Sequence, residues 1–171
     1  ALLALAASGN PLTFTLVANG MANRLALDFN RNGVLDGDET TFTEDPNNLL
    51  RNGGFESGLT NWDGGGTFAA TATPHSGARS ATIGEWSHIV QSATVTAGSN
   101  YQLSGFYFSQ GSGQNLEAGI SFWSSNGTWV GDRVVSLAQV SGYTAFSKDV
   151  TAPSGAAVAS VWVLAGGGGG A

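Results

Sequence analysis

Leu116-Glu-Ala-Gly-Ile-Ser-Phe-Trp-Ser-Ser-Asn-Gly-Thr-Trp-Val-Gly-Asp-Arg-Val-Val-Ser-Leu137 is the stretch on which the fold turns. Leu116, Ala118, Ile120 and Phe122 alternate with Glu117, Gly119, Ser121 and Trp123, the period-two pattern of a strand with one apolar face. Asn126-Gly127 then separates two such runs. Both residues tolerate positive φ, which makes this pair the strongest short-range hairpin signal. Strands are therefore expected over 116–125 and 128–137. On either side, further short strands separated by glycine-rich turns are expected near 67–73, 80–84, 88–95, 101–109, 143–151 and 157–164. No segment carries a capped 3.6-residue period. The fold class is all-β, a sandwich or barrel.

Upstream the character differs. Leu12-Thr-Phe-Thr-Leu-Val-Ala18 and Arg24-Leu-Ala-Leu-Asp28 also alternate and are expected to form a hairpin across the turn at Gly20. Residues 1–10, Ala-Leu-Leu-Ala-Leu-Ala-Ala-Ser-Gly-Asn, look like the end of a signal-peptide apolar stretch with its small-residue cleavage zone, or else an apolar arm buried elsewhere. A polar stretch with Pro46 near its end marks a boundary. Two regions result: 1–47, an arm with strands and an acidic loop, and 48–171, the β domain.

Composition narrows the function. The 171 residues include 26 glycines, and only 11% are charged, against roughly 25% in an average soluble domain. Six basic residues in all and a net charge of -6 leave no patch for a phosphate backbone, so nucleic acid is excluded as a partner. No apolar run approaches the ~18 residues of a membrane span. Cysteine is absent, which removes disulfides, thiolate metal sites and cysteine nucleophiles together.

Six of the twelve acids fall between Asp28 and Asp45. Counted from Asp28 as position 1, Asp28, Asn30, Asn32 and Asp36 stand at 1, 3, 5 and 9, Gly33 at 6, Val34 at 7 and Glu39 at 12. That is the spacing of a calcium loop: odd-position side chains converge, the glycine permits the turn, Val34 offers its carbonyl and Glu39 closes bidentately. Nothing nearby reads as the two helices of an EF-hand, so the loop resembles dockerin-like calcium loops of extracellular β-proteins. The alternative is an Asn/Asp/Gly turn that binds nothing. The expected cofactor is Ca2+.

Asn48-Leu-Leu-Arg-Asn-Gly-Gly-Phe-Glu-Ser-Gly-Leu-Thr-Asn-Trp62 closely resembles the opening of carbohydrate-binding modules of the family 4/9/22 type. The resemblance continues through His75–Ala81, Val90–Tyr101 and Gly142–Pro153. It implies a galactose-binding-like jelly-roll β-sandwich without catalytic activity, a calcium ligand at Glu56 and a core position for Trp62. Two departures stand out. The closing strand with its Asp-Asp pair is replaced by glycines, and the usual tryptophan before the penultimate strand is Tyr143.

Sugars bind by stacking their C–H faces on exposed aromatic rings beside hydrogen-bonding amides and carboxylates. Trp86, Trp123, Trp129 and Trp162 are the candidates, with Tyr107 in support and Glu117 and Asn115 as polar neighbours. The alternative places these rings in the core or at a protein–protein contact. Enzyme chemistry lacks support: His75 and His88 have no ligand spacing, and no nucleophile elbow, phosphate loop or dinucleotide fingerprint is present. Asn126-Gly127-Thr128 is also a formal glycosylation sequon at a hairpin tip.

Two functions follow: a secreted or cell-surface, extracellular glycan-binding module, or a structural subunit of an extracellular assembly. The second rests on one surplus strand, Leu12–Ala18, and one missing closing strand. Complementation by residues 1–18 within the chain, or between copies, would fill the gap. Between copies it builds a head-to-tail homo-oligomer or filament. For the loop, calcium should raise the melting temperature by mass action. Calorimetry with and without chelator checks this, and an unchanged midpoint counts against calcium in residues 28–39.

Overall fold

The computed structural model describes residues 47–109 and 115–166. The apolar arm, the expected hairpin of Leu12–Ala18 and Arg24–Asp28 and the acidic loop Asp28–Glu39 lie outside these residues. The described chain forms nine strands: β1 (Asp63–Gly65), β2 (Phe68–Thr71), β3 (Ser80–Ile83), β4 (Ser87–Thr94), β5 (Asn100–Tyr107), β6 (Leu116–Trp123), β7 (Trp129–Leu137), β8 (Thr144–Thr151) and β9 (Val158–Ala165). Eight coincide with the expected strands within a few residues. The ninth, β1, is Asp63-Gly-Gly, which has too few side chains to alternate. All pairings are antiparallel, and no described residue is helical.

One five-stranded sheet runs in the order β1-β4-β9-β6-β7, beside the two-stranded pairs β2-β3 and β5-β8. Register assigns its two faces. Ala118 stands between Val163 and Val135, Ile120 between Val161 and Arg133, and Phe122 between Ala159 and Gly131. On β6 this inner face is buried, with Ala118 and Phe122 fully so and Ile120 nearly, while Arg133 on the edge strand β7 is exposed. The face packs against Leu103 of β5 and Val150 of β8, with Tyr101 and Phe146 partly buried around them. The result is a β-sandwich, two layers over one core.

The β6–β7 turn differs from the expected two-residue form. Gly127 N–H donates to Ser124 O at 3.0 Å, and of Asn126 and Gly127 only the glycine has positive φ, +81°. The Asn126 side chain instead accepts from Ser124 Oγ and from Thr128 N–H, so it shapes the turn without a left-handed backbone.

The 48–62 motif folds around Asn52. Its Nδ2 donates to Gly58 O and Thr60 O, its Oδ1 accepts from Ser57 N–H, and its carbonyl accepts from Phe55 N–H and Trp62 Nε1. Trp62 is half-buried against Phe55, ring centroids 5.1 Å apart. Gln91, buried on β4, joins this motif to the sheet: Oε1 accepts from Arg51 N–H at 2.6 Å and Nε2 donates to Arg51 O at 2.9 Å.

A second clasp lies beside the β5–β8 layer. The His75 ring stacks on Phe106 with centroids 3.6 Å apart, and Tyr143 meets His75 edge-on. The Tyr143 hydroxyl donates to Thr73 O. Where the resembled family carries tryptophan, this tyrosine thus ties two loops together.

Phe122 has no exposed surface and sits at the centre of the core cluster. Phe122→Ala should therefore lower stability by about 3–5 kcal/mol through lost burial and cavity formation. Denaturant unfolding measures this; a loss below about 1 kcal/mol would contradict the core assignment.

Candidate functional site

The outer face of the five-stranded sheet carries the candidate glycan contacts. Cross-strand partners point the same way, so register arranges this face in rows. One row runs Gly65, His88, Leu164, Glu117 and Ser136, and the next Asp63, Val90, Trp162, Gly119 and Val134. A third holds Ser92, Ser160, Ser121 and Asp132, and a fourth Thr94, Val158, Trp123 and Trp129.

Trp162 occupies the middle strand. A Cβ placed on Gly119 would stand 2.3 Å from Cζ2 of this indole and 2.7 Å from each of Cε2 and Cη2. That both ring neighbours are so little farther than Cζ2 means that the glycine meets the ring from above its plane. Approach within the plane would leave those neighbours much farther away than Cζ2. The indole therefore lies flat on β6, and its Nε1 donates to Ser121 Oγ at 3.1 Å. Trp162 is half-buried, with one ring face taken by the sheet.

Trp123 and Trp129 pair across the strands at the end of this face. Gly119 and Trp123 are four residues apart on β6, about 13 Å along the strand. Trp129 is 55% exposed, and its Nε1 donates to Asp132 Oδ1 at 2.9 Å, which fixes the ring. Between the aromatic rows lie hydroxyls: Ser92 and Ser160 are hydrogen-bonded at 2.9 Å. Asp63, Glu117 and Asp132 supply carboxylates, and no outward position in these rows is Lys or Arg. The face is an acidic, hydroxyl-bearing surface with flat aromatic ground.

The other sequence candidates fall elsewhere. Trp86 is 72% exposed in the turn before β4, with positive φ, off the end of the sheet nearest His88. Tyr107 belongs to the β5–β8 layer, where it pairs with Thr144 and meets Phe146 edge-on at 6.1 Å. It does not share the face of Trp162. Sequence reading also passed over Gly119 as a contact, though a glycine inside a strand signals close approach of another group.

Glu56 has a visible task. Its carboxylate accepts from Ala78 N–H at 3.0 and 3.1 Å and from Arg79 N–H at 3.2 Å, clamping the turn before β3 to the opening motif. Among the described residues no group of three or more His, Asp or Glu side chains is placed to hold a metal ion. Nor is any helix of the described residues long and apolar enough to cross a membrane.

No protein-family model matches the sequence, and no curated protein is matched by it. Solved structures do share the fold. The enzymatically active domain of tailspike protein 4 from bacteriophage CBA120 aligns with a TM-score of 0.59 at 17% identity, over 70% of this chain and 19% of that one. The present chain thus spans under a fifth of the tailspike chain. A family 16 carbohydrate-binding module aligns with a TM-score of 0.55 at 18% identity, over 67% of this chain and 87% of that one. A family 61 module in complex with β-1,4-galactotriose aligns with a TM-score of 0.47 at 16% identity, over 68% and 86%. At these identities the likeness to the first two structures is one of fold alone.

If amide clamping is the role of Glu56, Glu56→Ala should lower the melting temperature by the same amount with and without chelator. A drop that vanishes in chelator would instead assign Glu56 to an ion.

Proposed function

We propose that this chain is a non-catalytic module that binds a glycan chain on the outer face of its five-stranded sheet. The observation that carries the reading is the flat Trp162 indole, half-buried and held against β6 on the outer side of the sheet. A pyranose presents C–H groups on its flat face, and an aromatic ring already laid flat receives them without reorganising. The serines, Glu117 and Asp132 supply acceptors and donors for the sugar hydroxyls. Trp123 and Trp129 extend the aromatic ground beyond the reach of a single sugar ring, so the fitting ligand is an oligosaccharide or polysaccharide. The family 16 neighbour, itself a carbohydrate-binding module, supports this reading. The calcium spacing of residues 28–39 belongs to the same proposal, as does an extracellular setting, where both polysaccharide and calcium are available.

Trp162→Ala should weaken binding to a soluble β-glucan or xylan by about tenfold or more, which corresponds to about 1.4 kcal/mol. Its effect on stability should be far smaller than that of Phe122→Ala. Affinity electrophoresis or calorimetry measures the first and denaturant unfolding the second. A stability loss as large as that of Phe122→Ala would make Trp162 a packing residue. Parent protein that binds no member of a broad glycan array would favour the structural-subunit reading.

A further inference from the structure

We infer that Gly119 is a positioning residue of the Trp162 platform: the missing side chain is what lets the indole lie flat. The inference rests on the glycan reading of that face. Gly119 lies inside β6, between Ala118 and Ile120, where backbone conformation does not call for glycine, since its φ is not among the positive ones. Glycine inside a strand is unfavourable relative to alanine. Some other need must hold it there, and the volume of its absent Cβ is occupied by the face of Trp162.

The fit has no slack. Non-bonded carbons are most stable about 3.5–4.0 Å apart, whereas a Cβ at this position would stand 2.3 Å from Cζ2. With alanine the ring must rise or turn about its side-chain torsions. Either movement draws Nε1 away from Ser121 Oγ, now 3.1 Å distant. The β6 backbone cannot yield instead, because Gly119 is paired on both sides, to Trp162 and to Val134. A lifted ring offers its edge to the solvent, and a sugar face then loses its flat partner. Gly119 and Ser121 together set the ring's angle: one removes the obstacle beneath it, the other tethers its nitrogen.

Gly119→Ala tests this with three measurements on the same protein. Affinity for the β-glucan or xylan bound by the parent should fall about tenfold or more. The Trp162 Nε1–H resonance, assigned by its loss in Trp162→Ala, should move. The melting temperature should change little, because alanine is the better strand residue. If Gly119→Ala binds like the parent while Trp162→Ala does not, the positioning role is overturned and the glycan reading stands. If Trp162→Ala itself binds like the parent, the glycan reading falls and the positioning role with it. An unmoved Nε1–H resonance in Gly119→Ala also overturns the proposal. Should Gly119→Ala fail to fold, Ser121→Ala removes only the tether. A shifted Nε1–H resonance with weakened binding then supports the proposal, and parental values for both overturn it.

Discussion

The pairing of β9 with β4 on one side and β6 on the other holds the rest of the structure in place. Each contact runs for eight consecutive residue pairs without a break. Because side chains alternate with a period of two, a slip of one residue would turn every one of them to the opposite face. Val161 would leave the core and Trp162 would enter it. Core and platform are therefore two readings of a single register, and neither can be altered without the other.

The same packing device serves both faces. In the core layer, a Cβ on Gly105 would stand 3.0 Å from Cε1 of Phe146, its partner on β8. On the outer face, Trp162 covers Gly119, its partner on β6. In each case a large ring on one strand shields the bare backbone of a glycine on the next, an arrangement known to compensate for glycine in sheets. The difference lies in the side of the sheet: Phe146 packs against the core, whereas Trp162 stands half-buried on the face opposite Val161.

Much of this was legible in the sequence, for a physical reason. Burial on one side of a pleated strand imposes alternation, so the eight strands with enough side chains to alternate were visible, and Trp123 and Trp162 could be set opposite Phe122 and Val161. What escaped depends on non-local pairing. β1 is a strand only because β4 lies beside it, and Trp162 meets Gly119 only because β9 lies beside β6. Tyr107 looked like a ligand contact by residue type, yet the layer to which β5 belongs decides its face. The motif around Asn52 was specific as a signal of fold, and its hydrogen bonds show why: Asn52 closes the loop and Glu56 clamps Ala78 and Arg79. Its residues are spent on architecture.

The register shift at the Phe122/Trp123 step has a further consequence. Val130 is inserted where Gly131 pairs with Phe122 and Trp129 with Trp123, and Gly131 reaches a φ of +145° that side chains rarely adopt. This bulge interrupts β7, the edge strand of the sheet, and Asp132 and Arg133 stand exposed directly after it. A broken ladder with adjacent charges is a poor template for another chain's strand. At the β7 edge, the sheet resists extension by a neighbouring molecule. The rows of aromatic rings on this sheet thus end at an edge that is a poor partner for a second strand.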